Sequence, residues 1–214
     1  AQSFADGAPA LRTAAYSIAG SAQALEGWKQ GHVEVLDRRS GVAGLRRAPS
    51  LKGDIQQLAP NASASIFAAT SDELLTRLLA PVEVLGPVLQ NISLRSAFPP
   101  DSNPLSGQLQ QVAKLIHARR TLGSERDVFF VELPAFDTHD DLRGHLAELF
   151  GQMDASLSAF AAELRADGVW EDVVVQSASE FGRTLTTNGR GGTDHGWGGV
   201  HFTMGGGVAG GKIH

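Results

Sequence analysis

The sequence predicts an α/β protein built on a mostly parallel sheet, and three stretches carry that expectation. Asp127–Leu133 is a nearly continuous apolar, β-rich run, as expected of a strand covered on both faces. Leu142, Leu146, Leu149, Met153, Leu157, Phe160 and Leu164 then recur at intervals of three and four, the period of a helix that Asp167-Gly168 should end. Asp172–Gln176 follows as a second strand. Two strands joined by a long helix form a βαβ unit, whose parallel sheet presents its ligand site beyond the carboxyl ends of the strands.

The upstream elements are shorter. Ala15–Ala19 and His32–Leu36 read as strands able to pair as neighbours, the second alternating apolar and polar. Residues 51–125 read as mainly helical, with Leu74, Leu75, Leu78, Leu79, Val82 and Leu85 at helical spacing and a break near Pro81 and Pro87. Phe98–Pro104 is a loop, and it leads into an amphipathic helix marked by Leu105, Leu109, Val112, Leu115 and Ile116 that should stop near Gly123. The expectation is a single α/β domain in three zones, 1–50, 51–125 and 126–214. The chain starts without Met and stops after a glycine-rich approach to another strand, so it is expected to be the C-terminal portion of a longer protein.

Composition narrows the function. A formal net charge of −5 argues against a nucleic-acid surface. No run approaches the ~18 apolar residues of a membrane span. With no Cys in the chain, any metal must be held by oxygen and imidazole nitrogen.

Polar residues then concentrate in three clusters. Phe136-Asp137-Thr138-His139 follows the Asp127–Leu133 strand. In extended backbone, side chains two apart point the same way, so Asp137 and His139 can offer a carboxylate and an imidazole to one ion. The plainer reading makes Asp137 or Thr138 a helix cap. Ser179-Glu180-Phe181-Gly182-Arg183-Thr184 follows the next strand, with a carboxylate and a guanidinium able to grip an anion, or to pair with each other across a turn. Gly191-Gly192-Thr193-Asp194-His195-Gly196-Trp197-Gly198-Gly199 is the third, within a region holding twelve of the 25 glycines between Gly182 and Gly211. Asp194 and His195 are adjacent, so they serve one centre if the loop bends and otherwise two neighbouring ions. The plainer reading there is a mobile surface loop.

Other signals carry less. Gly205-Gly206-Gly207-Val208-Ala209-Gly210 fits a dinucleotide-binding pattern formally, but no helix follows it. His32, His117 and His201 have no acidic companions at ligand spacing, and Ser102, Ser106 and Ser124 lack any local sign of activation.

In series, Phe129-Phe130-Val131-Glu132-Leu133 and the three clusters resemble the C-terminal half of the bacterial family called domain of unknown function 1501, itself similar to the alkaline phosphatase and sulfatase superfamily. The resemblance implies a three-layer α/β/α fold with a mostly parallel sheet, a metal site at the carboxyl edge of that sheet, and export to the periplasm or beyond. Carried over by position, it implies Asp137, His139, Glu180, Asp194 and His195 as metal ligands and Arg183 as a group steadying an anion. Phe181 stands where a ligand histidine is expected, and Pro134-Ala135 where the family commonly has two glycines. The superfamily's first metal-binding acid and its nucleophilic Ser, Thr or Cys come from an early part of the fold, which is expected to lie upstream of these residues.

The leading expectation is therefore a metal-dependent hydrolase domain acting on small phosphate or sulfate esters. Zn²⁺ or Mn²⁺ suits a carboxylate and histidine set better than Mg²⁺ or Ca²⁺. The rivals are a catalytically degenerate metal- or ligand-binding module, and an interaction protein using the glycine-rich loop as its surface.

Overall fold

The computed structural model describes residues 13–20, 22, 25, 33–36, 38, 85–100 and 102–213. The helical pattern read over Leu74–Val82 lies outside them. The chain mixes helices and strands and divides into two compact units, residues 1–93 with 110–132 and residues 94–109 with 133–214.

In the first unit, β1 (Thr13–Ser17) lies between β2 (Val33–Val35) and β3 (Arg126–Phe130), and both pairings are parallel. The two upstream strands are indeed neighbours. Register places Tyr16 opposite Phe129, and their rings stack with centroids 5.4 Å apart, a cross-strand contact that helps pin the alignment. The ladder runs one residue further on each side, through Ile18 N donating to Phe130 O and Leu36 N donating to Ser17 O. β3 ends three residues earlier than its apolar run suggests and is an edge strand of this order, which leaves Val128 53% exposed where cover on both faces was expected.

Helix α1 (Pro104–Leu122) starts and stops where its sequence indicates. Pro104 needs no amide partner in the first turn, and Asn103 Oδ1 accepts from Leu105 N and Ser106 N, satisfying two of the helix's free donors. At the other end Gly123 has φ +68°, and Ser124 N reaches back to Arg119 O.

In the second unit, α2 (Leu142–Ala166) supplies the scaffold. Its cap is Asp141, at φ +34°, whose side chain accepts from Gly144 N. Thr138 instead is buried three residues upstream. The buried stripe Leu149, Ser156, Phe160 and Leu164 follows the three-and-four spacing, and Asn103 Nδ2 donates to Gln152 O and Ser156 Oγ from the start of α1. Beyond α2, a 3₁₀ turn (Trp170–Asp172) leads to β4 (Val174–Gln176), followed by β5 (Gly182–Arg183), β6 (His195–Gly196) and β7 (Thr203–Gly205).

The expected parallel partner of β4 is not among the described strands of its unit: β4 hydrogen-bonds antiparallel to β7, and β5 pairs antiparallel with β6. Apolar periodicity identifies a strand but not its partner, and here the return through β7 captures the edge of β4. Gly205 permits it, since a Cβ there would overlap the Val173 carbonyl.

Glu163 is the charged residue buried on α2. Its carboxylate accepts from Arg95 N at 2.9 Å and Ser96 N at 2.6 Å, while Arg95 Nη1 donates to Ala166 O. Burial works against the charge, but the Ser96 and Arg95 amides, the Ser96 hydroxyl and the Arg95 charge outweigh it and hold the carboxyl below its ordinary range. A lowered folded pKa contributes stability above the unfolded value near ~4.3, lost as pH falls through the folded value. Glu163→Gln should therefore lower stability by roughly 1.5–3 kcal/mol at neutral pH. Denaturant melts of variant and wild type should converge as pH drops below about 4. A gap that persists in acid would assign the loss to packing instead of charge.

Candidate metal site

Three loops of the second unit build the site. Asp137 and His139 lie in the segment between β3 and α2, Arg183 on β5, and Asp194 and His195 at the start of β6. Short bonds from Thr138 N to Phe136 O and from His139 N to Asp137 O hold the first segment in three-residue turns. Asp137 and His139 emerge on one side, as period-two alternation predicts, while Thr138 is buried with its carbonyl accepting from Thr193 N. Ala135, just upstream, sits at φ +79°, a region that suits glycine.

The glycine-rich loop reaches this segment by close backbone approach. Gly192 packs so tightly that a Cβ on it would overlap the His139 carbonyl and the Asp140 nitrogen. Asn188 binds the two segments, its Nδ2 donating to His139 O at 2.9 Å and to Asp194 Oδ1 at 3.2 Å. Its Oδ1 accepts from Arg190 N and Gly192 N.

These contacts bring one carboxylate and two imidazoles to a point. Asp137 Oδ1 is 2.9 Å from His139 Nε2 and 2.8 Å from His195 Nε2, and the ligand atoms of the three residues all lie within 4.8 Å of one another. Donors that share an ion at about 2.0–2.2 Å stand roughly 3 Å apart, so the set has the spacing of a cation site. A carboxylate with two imidazoles suits zinc, manganese or ferrous iron, and three protein donors leave coordination positions open, as in catalytic sites.

Arg183 and Phe181 complete the setting. Arg183 Nη1 donates to Asp137 Oδ1 at 2.6 Å, Nε donates to Thr193 Oγ1, and Nη2 to the Thr193 carbonyl. The Phe181 ring stacks nearly parallel on His195, with centroids 4.4 Å apart, and the His195 ring also stacks on His139 at 5.3 Å. The hydrogen bond with His195, offset by modest desolvation and joined by Arg183 and the two imidazoles, lowers the Asp137 pKa. Asn188 and His139 do the same for Asp194. Both groups therefore stay carboxylates.

Of the residues singled out in the sequence, Asp137, His139 and His195 come together. Asp194 stands 3.0 Å from the other ring nitrogen of His139, Nδ1. Glu180 is exposed and lies outside the group of three. Arg183, expected to steady an anion, bonds to Asp137 and Thr193. Sequence reasoning passed over Asn188, for which the Asn188-Gly189 turn signal was the available clue, and gave Thr193, a member of the third cluster, no role.

The chain is thus a mixed α/β protein carrying a two-histidine, one-carboxylate cluster. It belongs to the family described as protein of unknown function (DUF1501), whose family model matches residues 90–214. No curated protein and no solved structure matches it.

Two substitutions test how the backbone sets this geometry. Ala135→Gly removes a left-handed penalty of ~1–2 kcal/mol and adds less than that in chain entropy, so it should stabilise by roughly 0.5–1 kcal/mol, read as a higher melting temperature. Gly192→Ala should destabilise by about 1–3 kcal/mol and shift the His139 ring resonances. Unchanged resonances would show that the loop tolerates a Cβ there.

Proposed function

We propose that the chain is a metal-dependent hydrolase domain of the alkaline phosphatase and sulfatase type, acting on small phosphate or sulfate esters, with Asp137, His139 and His195 holding the ion. The observation that carries this reading is the convergence of Asp137 Oδ1, His139 Nε2 and His195 Nε2. The serial order of the three motifs supports the superfamily likeness, and with it the three-layer fold and a periplasmic or secreted location. When bound, the ion would polarise an ester oxygen and offset charge developing there. The protein's part is to keep Asp137 ionised through Arg183, to fix both rings, and to leave the pocket open: the Asp137 and His195 side chains are 53% and 55% exposed.

A second reading, the metal- or ligand-binding module, is favoured by Arg183. Three of its five N–H groups are committed to Asp137 and Thr193, which leaves two to grip an ester anion. The interaction-surface reading depended on Asp137 and His195 lying on distant faces, whereas they are 2.8 Å apart.

The purified protein should take up Zn²⁺ or Mn²⁺ stoichiometrically and cleave p-nitrophenyl phosphate or sulfate only when loaded. His139→Ala and His195→Ala should each weaken metal affinity more than about 100-fold and abolish turnover. Metal uptake without turnover would select the binding module, and neither uptake nor turnover would sink both.

A further inference from the structure

We infer that Asp194, held by Asn188, is the orienting partner of His139 and not a metal ligand: it determines which ring nitrogen His139 presents to the cation. This rests on the cation reading above. Donors and acceptors carry the argument. Asp194 Oδ1 lies 3.0 Å from His139 Nδ1, and an ionised carboxylate can only accept, so in the neutral ring Nδ1 carries the hydrogen. Nε2 is then left with its lone pair, and it faces Asp137 Oδ1 at 2.9 Å. A lone pair opposite a carboxylate oxygen is repulsive until a positive centre stands between them, the arrangement of a ligand pair awaiting an ion. A carboxylate on the far nitrogen of a ligating histidine fixes the ring and raises its basicity.

Asn188 makes the arrangement rigid. One amide group donates to the His139 carbonyl and to the Asp194 carboxylate, so it holds the backbone that carries the ring and the group that orients it. Its oxygen is engaged by two amides of the same loop, which sets which way the carboxamide faces. His195 is held differently, by the flat Phe181 ring on its face. Asp194 and Asn188 are positioning residues, acting on the cation through His139.

Zinc titration of the wild type, Asp194→Ala and Asn188→Ala is the test. The ion-to-chain ratio should stay constant while Asp194→Ala loses roughly 10–100-fold in affinity and Asn188→Ala loses less. Long-range ¹H–¹⁵N spectra of the zinc-free protein, recorded across a pH series, should show the neutral His139 ring as the Nδ1–H tautomer. That tautomer should be lost in Asp194→Ala. If the alanine variant does not fold, the nearly isosteric Asp194→Asn should show an intermediate loss of affinity. A lower ion-to-chain ratio in the variant would make Asp194 a ligand and overturn the inference, as would unchanged affinity together with an unchanged tautomer. A wild type that takes up no zinc yet shows an Asp194-dependent tautomer would overturn the cation site while upholding the orientation of His139.

Discussion

Asp137 Oδ1 receives three nitrogens at 2.6, 2.8 and 2.9 Å, from Arg183, His195 and His139, and the second unit's loops are arranged to permit it. The His195 hydrogen bond and the Arg183 guanidinium keep this oxygen anionic, and the His139 nitrogen faces it from the third side. The consequence extends outward. Arg183 can reach Asp137 because Thr193 holds its other nitrogens, and Thr193 is in place because its amide donates to Thr138, the residue between the two candidate ligands. The site is a closed set of dependencies in which each loop is positioned by another.

Backbone proximity makes those dependencies possible. Side chains between the His139 and Gly192 segments would hold them apart, and the lost distance would open the contact between His139 and Asp194. Glycine at that position has a steric purpose beyond loop flexibility. The long helix α2 offers the complementary stiffness: its Glu163 anchors the Arg95-Ser96 backbone, and its capping residue Asp141 lies two residues after His139.

Much of this organisation is legible in the sequence, where local chemistry decides it. Pro104 and Gly123 bound α1, Asp167-Gly168 ends α2, and the two-residue spacing of Asp137 and His139 places them on one side. Strand partners are not legible in this way. Val174–Gln176 reads as a strand from any viewpoint, yet its choice of β7 depends on a backbone approach at Gly205 that no periodicity encodes. Adjacent Asp194 and His195 illustrate an intermediate case. Their divergence follows from extended backbone, but that both would flank one imidazole, Asp194 at its Nδ1 and His195 across its face, depends on the third dimension. Asn188 escapes notice because an Asn beside a Gly signals a turn whether or not its amide bridges two segments.

The cluster's contacts join residues 46, 55 and 58 positions apart, whereas the bonds of α1 and α2 join residues four apart. Closing a loop of that length carries an entropic penalty that only a largely assembled chain can repay, so the helices precede the cluster in the order of events during folding. By the same reasoning the cluster should be among the first regions to come apart when the chain fluctuates, with faster amide exchange there than along the helices.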